Sequence, residues 1–241
     1  LMVLTSVVGM FLAVPGMVPI NILLLGNLGI ALVAGSGAVC NHLIDRKIDL
    51  KMKRTQNRPL PQGRVGSRQT IIFALSIGLS GMSILLFWVN PLCAWLTLGS
   101  FVGYAFIYTG YLKHATPQNI VIGGLAGAMP PLLGWSAVTG TIEPGAVILV
   151  LIIFAWTPPH FWALAIHRKD EYAKSGVPML PVTHGEQVTK LHIIFYTGIL
   201  IVVSSMPYFV KMSGGFYLTA AMLLGAGFLF FSWLLLIKPG P

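Results

Sequence analysis

Charge is scarce in this chain. Only 9% of its 241 residues are charged, against about a quarter in an ordinary soluble domain, and none of the first 44 is Asp, Glu, Lys or Arg. So few charges cannot clothe a water-facing surface, which excludes a soluble globular domain. Cysteine is nearly absent as well: Cys40 and Cys93 lie in separate apolar stretches and imply buried small side chains rather than a disulfide framework. The alternating pattern of outer-membrane strands is missing too, which leaves helices as the spanning element.

What is present is a series of apolar stretches of about 20 residues, enough to cross a bilayer core of roughly 30 Å. Charged and Pro/Gly breaks place them near residues 1–15, 19–43, 70–89, 91–112, 117–139, 145–166, 191–210 and 215–237. The expected fold class is therefore all-α: a polytopic membrane protein, a helical bundle forming one transmembrane domain over residues 1–241. The first stretch is short and has no basic flank, and the sequence stops at Lys238-Pro-Gly-Pro, where another loop would open. The chain is thus read as trimmed at both ends.

Basic residues set an orientation. Eight of the fifteen Lys/Arg fall between Arg46 and Arg68, Lys113 lies between the fourth and fifth stretches, and Arg168, Lys169, Lys174 and Lys190 lie between the sixth and seventh. These are alternate connections, hence one side, and that side is expected to be cytosolic or its equivalent. The net charge of +9 follows from that topology, and no nucleic-acid partner is expected. The bacterial cytoplasmic membrane, or alternatively the mitochondrial inner membrane, suits such a protein.

Topology does not explain the acids, because Asp and Glu contribute little to orientation. Four of the six, Asp45, Asp49, Asp170 and Glu171, form two compact pairs inside the most basic loops. Asn41, Asp45 and Asp49 are spaced by four, so a continuous helix puts all three on one face, where the two carboxylates repel. A divalent cation resolves that conflict; Mg²⁺ suits it, since it binds through one or two carboxylates plus substrate phosphates. Arg54 and Arg58 follow, with the fork geometry that grips phosphate oxygens, and Pro59 breaks the helix. The plainer reading is a solvated helix end with ion pairs from Asp45 to Lys47 or Asp49 to Lys53.

The second cluster sits in WTPPHFWALAIHRKDEYAKSGVPMLP, residues 156–181. Pro158 and Pro159 are expected to kink or break their span. His160 beside them is either a hydrogen-bonded core residue or a functional group, as an intramembrane ionisable side chain often is. Asp170 is the expected metal-facing acid, since adjacent Asp170 and Glu171 cannot share one helix face; the plainer reading is a surface pair from Asp170 to Lys174. Between the clusters, Gly123 and Gly127 form a small-xxx-small face suited to close packing, Pro130 and Pro131 break another span, and Lys113 and Asn119 are candidates to extend a phosphate site.

These blocks resemble a known family. NHLIDRKIDLKMKRTQNRPL is similar to the first aspartate motif of the UbiA-type intramembrane prenyltransferases, and YTGYLKHATPQNIVIGGLAGAMPPLLGW with WTPPHFWALAIHRKDEYAKSGVPMLPV resembles the heme-farnesylating branch of that superfamily. The resemblance implies nine helices around a central chamber, and an enzyme moving a farnesyl group from farnesyl diphosphate to a vinyl group of heme B with Mg²⁺. Heme B is then a substrate, not a cofactor. It assigns diphosphate and metal roles to Asn41, Asp45, Asp49, Arg54, Arg58 and Asp170, with metal ligands Asp45, Asp49 and Asp170. It places Lys113, Asn119, Lys169 and Tyr172 among the substrate-binding groups, with Glu171 nearby; position 174 is Lys where the superfamily has a second acid. His160 and Trp156 fall on the heme side, with Phe161 and Trp162 as walls. Heme A synthase or oxidase assembly factors are the implied partners, within the lipid bilayer. Alternatives are a prenyltransferase acting on an aromatic quinone precursor, a secondary transporter and a non-catalytic heme-binding chaperone.

Overall fold

Glycine and proline decide how closely these helices approach. The structure, a computed structural model, describes residues 1–237; the Lys238–Pro241 segment, expected to open a further loop, lies outside the described residues. Long helices are α2 (Ile20–Ile44), α4 (Ser67–Ile84, continued by a π-helical turn, Leu85–Val89), α5 (Pro91–Val102, continued by a π-helix, Gly103–Leu112), α9 (Pro144–His167), α12 (Gly185–Phe209) and α13 (Gly215–Ile237). Shorter ones are α1 (Met2–Ala13), α3 (Arg46–Asp49), α6 (Lys113–Ala115), α7 (Asn119–Ala128), α8 (Pro130–Thr139), α10 (Lys169–Ser175) and α11 (Leu180–Thr183). No strand occurs among the described residues.

Seven helical segments among the described residues are long and apolar enough to cross a membrane, α7 and α8 counting as one over Asn119–Thr139. The eighth expected span is the 12-residue α1, too short to cross alone. Leu24, Leu28, Phe73, Leu79, Phe230 and Phe231 are among many large apolar side chains left exposed, as a lipid-facing surface requires.

Helix pairs approach on small residues, the usual solution where lipid removes the hydrophobic driving force. A Cβ on Gly29 would strike Leu85, and one on Gly81 would meet the Gly29 carbonyl, so α2 and α4 lie nearly backbone to backbone; the Ser36 hydroxyl donates across that seam to the Ala74 carbonyl at 2.8 Å. Gly9 on α1 seats against the Pro131 carbonyl and Gly134 on α8 against that of Ser6. Gly123 faces the Tyr108 ring and Gly124 faces Thr157, whereas a Cβ on Gly127 would meet nothing within 4 Å. The expected Gly123/Gly127 packing face is therefore half right, because Gly127 lines a cavity instead.

Two proline pairs behave differently. Pro130–Pro131 ends one helix and starts the next across Met129. Pro158–Pro159 does not break α9, which runs through both prolines to His167. Both are buried, and Thr157 donates its hydroxyl to the Ile153 carbonyl at 2.7 Å; local side-chain bonding and neighbouring helices are what make proline tolerable inside membrane helices. Lys190, expected in a loop, lies inside α12 at 4% exposure.

One core cluster sits at the end carrying the charged loops: Ile120, Trp162, Ile166, Val177, Met179, Leu180 and Ile193, with Ile48 of α3 and Tyr172 of α10 packed against it. Both acidic segments are thereby anchored to one apolar block. Trp162 is fully buried there.

Candidate diphosphate and metal site

The backbone at the end of α2 keeps three polar side chains on one face. Asp45 sits between α2 and α3 at φ −79°, ψ 1°, but the i to i+4 bonds continue through it: its N–H donates to the Asn41 carbonyl and Asp49 N–H donates to the Asp45 carbonyl, both at 2.9 Å. Asp45 and Asp49 are 3% and 4% exposed, so the solvated-helix-end reading fails. The chain then turns back over Asp49. Thr55 donates to the Asp49 carbonyl at 3.1 Å, and Met52, Leu60 and Pro61 are buried beneath the loop.

Each buried acid has a cation, and neither is the neighbour expected from sequence. Lys113 Nζ lies 2.6 Å from Asp45 Oδ2 and Arg58 Nη1 lies 2.8 Å from Asp49 Oδ2. Two charges of each sign close together keep the buried group neutral, the condition under which burial is tolerable. Asn41 Nδ2 donates to the same Asp45 oxygen at 2.9 Å and to Thr109 Oγ1 at 3.1 Å. Asp45 Oδ1 is buried with no hydrogen-bond partner.

The π-helix after α5 supplies the facing wall. Thr109 donates its hydroxyl to the carbonyl of Tyr104 at 2.9 Å within this π-helix, a form concentrated at functional sites. Tyr104 and Tyr108 stack with ring centroids 6.0 Å apart; Tyr104 lies within electrostatic reach of Asp45 and Arg58, and Tyr108 within reach of Asp45 and Tyr172. Below them is an apolar cavity of about 170 Å³ bounded by Ala34, Gly37, Ala38, Phe101, Tyr104 and Gly127. Ala38 is one helical turn before Asn41 and about two before Asp45, so the cavity lies along the helix that carries the acids.

The second cluster is arranged more loosely. Asp170 is exposed and makes no ion pair among the described residues, so the Asp170–Lys174 pair is not formed. Lys169 Nζ is 3.1 Å from Glu186 Oε1, which ties α10 to α12. Tyr172 is half-buried; burial pushes its phenol up, Arg54 and Arg168 pull it back, and Glu171 adds to the rise. Arg54 of the first loop, itself exposed, thus lies within electrostatic reach of the second. Asn119 is fully buried and donates to the Lys113 carbonyl at 3.3 Å, which makes it a support for Lys113. His160 is exposed rather than a core histidine; its ring stacks on Trp156 at 4.2 Å with Phe161 edge-on at 5.3 Å.

Residues 2–241 match the UbiA prenyltransferase family. The chain belongs to that family. It is 66% identical over 232 residues to a protein named protoheme IX farnesyltransferase from Saccharophagus degradans, covering 96% of this chain and 77% of that one. It is 62% identical over 233 residues to the protein of the same name from Hahella chejuensis, covering 97% and 78%. Among solved structures, a digeranylgeranylglyceryl phosphate synthase superposes at TM-score 0.83 with 22% identity, over 99% of this chain and 83% of that one. A UbiA homologue from Archaeoglobus fulgidus, bound to DMAPP and Mg²⁺, superposes at 0.76 with 16% identity, over 96% and 81%. These two likenesses establish the fold.

For a UbiA prenyltransferase, the donors at the end of α2 fit Mg²⁺. Two carboxylates and an amide offer hard oxygens, and the unpartnered Asp45 Oδ1 is an available ligand atom. No three His, Cys, Asp or Glu side chains gather closely enough among the described residues to hold a metal by themselves. Mg²⁺ rarely needs such a cage, because substrate phosphates and water complete its shell. Tyr104, Tyr108 and Thr109 escaped the sequence reading of the site. Their signal is the aromatic run YAFIYTGYLK leading into Lys113, which periodicity alone reads as an ordinary apolar span.

Proposed function

We propose that this membrane-embedded prenyltransferase moves the farnesyl group of farnesyl diphosphate onto a vinyl group of heme B, giving heme O and diphosphate. The observation that carries the reading is the buried Asp45/Asp49 pair, held by Lys113 and Arg58, at the end of the helix whose Ala34, Gly37 and Ala38 line an apolar cavity. That arrangement suits a molecule with an anionic head and a hydrocarbon tail. The names of the relatives favour heme as acceptor.

Asn41, Asp45 and Asp49, with Asp170 from the second loop, would hold Mg²⁺, which when bound would supply positive charge to the leaving group. Arg54, Arg58 and Lys113 grip diphosphate oxygens, with Tyr172 as a neutral donor and Lys169 fixing α10 through Glu186. As the allylic C–O bond breaks, its electron pair leaves with the diphosphate and these cations meet the charge where it develops. The Tyr104/Tyr108 stack faces the resulting allylic cation, and the apolar wall keeps water from it. The vinyl π electrons then form the new C–C bond. The cation left beside the porphyrin takes water and loses a proton, giving the hydroxyethylfarnesyl arm. The Trp156–His160 stack is a flat aromatic platform for the porphyrin, with the imidazole as iron ligand or polar anchor. The basic loops face the cytosol by the charge argument above.

The test is turnover in detergent with heme B, farnesyl diphosphate and Mg²⁺, followed by mass. Farnesylated heme that disappears with EDTA is expected. A folded protein that leaves heme unchanged but prenylates an aromatic quinone precursor overturns the acceptor.

A further inference from the structure

Resting on the proposed diphosphate site, we infer that Lys113 is an exchangeable counter-ion: it occupies Asp45 in place of the metal, and must leave that carboxylate for the diphosphate when metal and substrate arrive together.

Asp45 Oδ2 receives two donors, Lys113 at 2.6 Å and Asn41 at 2.9 Å, while Oδ1 receives none. Arg58 holds Asp49 in the same way. The four charges cancel, so a divalent cation arriving alone would leave two positive charges uncompensated in a buried site. Diphosphate arriving alone would find Lys113 and Arg58 already engaged with carboxylates. Only the two together let Lys113 and Arg58 pass from carboxylate to phosphate without an unpaired charge, and a coupling between two ligands is reciprocal by necessity.

Lys113 is built for the exchange. Its backbone is fixed, since its carbonyl accepts from fully buried Asn119. Its ammonium rides on a four-carbon stem with freely rotating donors, unlike a planar guanidinium. Removing it therefore acts on the two ligands in opposite directions, which neither a plain phosphate-binding lysine nor a structural one would do.

The test is binding, not turnover. Mn²⁺ binding to the full chain in detergent is measured by electron paramagnetic resonance with and without inorganic diphosphate, at buffered free Mn²⁺, for the wild type, Lys113→Gln and Lys113→Arg. In the wild type, diphosphate should tighten Mn²⁺ binding about tenfold or more, within the usual span of coupling factors. Lys113→Gln should bind Mn²⁺ alone about tenfold tighter than wild type and lose most of the diphosphate enhancement; Lys113→Arg, which keeps the charge, should bind Mn²⁺ alone as weakly as wild type. Mn²⁺ binding alone that is unchanged or weakened in Lys113→Gln, or tightened equally in Lys113→Arg, overturns the inference while leaving the diphosphate site intact. A wild type that binds no Mn²⁺ even with diphosphate overturns the site itself.

Discussion

Arg58 and Asp49 form an ion pair at 2.8 Å with side chains 25% and 5% exposed, and this pair folds the loop after α3 back over the acidic site. Removing the guanidinium strands a buried carboxylate. Arg58→Ala is expected to lower stability by about 2–3 kcal/mol, with Arg58→Lys recovering part of it; thermal unfolding in detergent measures both. Equal melting of wild type and Arg58→Ala would mean that the loop is held by Met52, Leu60 and Thr55 alone.

Gly123 and Gly127 separate packing from cavity lining. A methyl at Gly123 would overlap the Tyr108 ring, whereas one at Gly127 has free space. Gly123→Ala should cost about 1–3 kcal/mol by overpacking and disturb the tyrosine stack, and Gly127→Ala should melt like wild type. Because Gly127 lines the cavity, Gly127→Leu should shift preference toward a shorter prenyl diphosphate by roughly tenfold in kcat/KM, read by competition between geranyl and farnesyl diphosphates.

His160 is expected to act on heme and not on the diphosphate. Its exposed ring on Trp156 contrasts with His192, half-buried with Nδ1 against the Val188 carbonyl at 2.9 Å. His160→Ala should weaken heme B binding about tenfold, roughly 1.4 kcal/mol, followed by the heme absorption band, while His192→Ala and diphosphate affinity stay unchanged. Loss on His192→Ala instead would move the porphyrin to the other side of α9.

The spans and the acidic pair were legible because a membrane chain makes charge conspicuous: Asp45 is the first charged residue after 44 without one, and i to i+4 spacing is a local property. The partners were not legible. Lys113 is 68 residues from Asp45, and Lys47 and Lys53 are nearer in sequence but point to solvent from a helix end that turns its acids inward. The π-helix was hidden as well, since apolar periodicity alone does not distinguish it from an α-helical span. Pro158–Pro159 do not break their span, because proline's effect depends on what surrounds it; inside a packed bundle the helix continues. Gly127 misled because a small residue serves equally to admit a neighbouring helix or to leave room for a ligand.

The central claim is that the buried Asp45/Asp49 pair carries a metal that ionises a prenyl diphosphate. The most direct measurement is the rate of diphosphate release from farnesyl diphosphate with heme B and Mg²⁺, comparing wild type with Asp45→Asn at matched melting temperature. The account predicts a loss of about a hundredfold or more, the scale on which removal of one transition-state charge contact acts. An Asp45→Asn rate within a few-fold of wild type would contradict it.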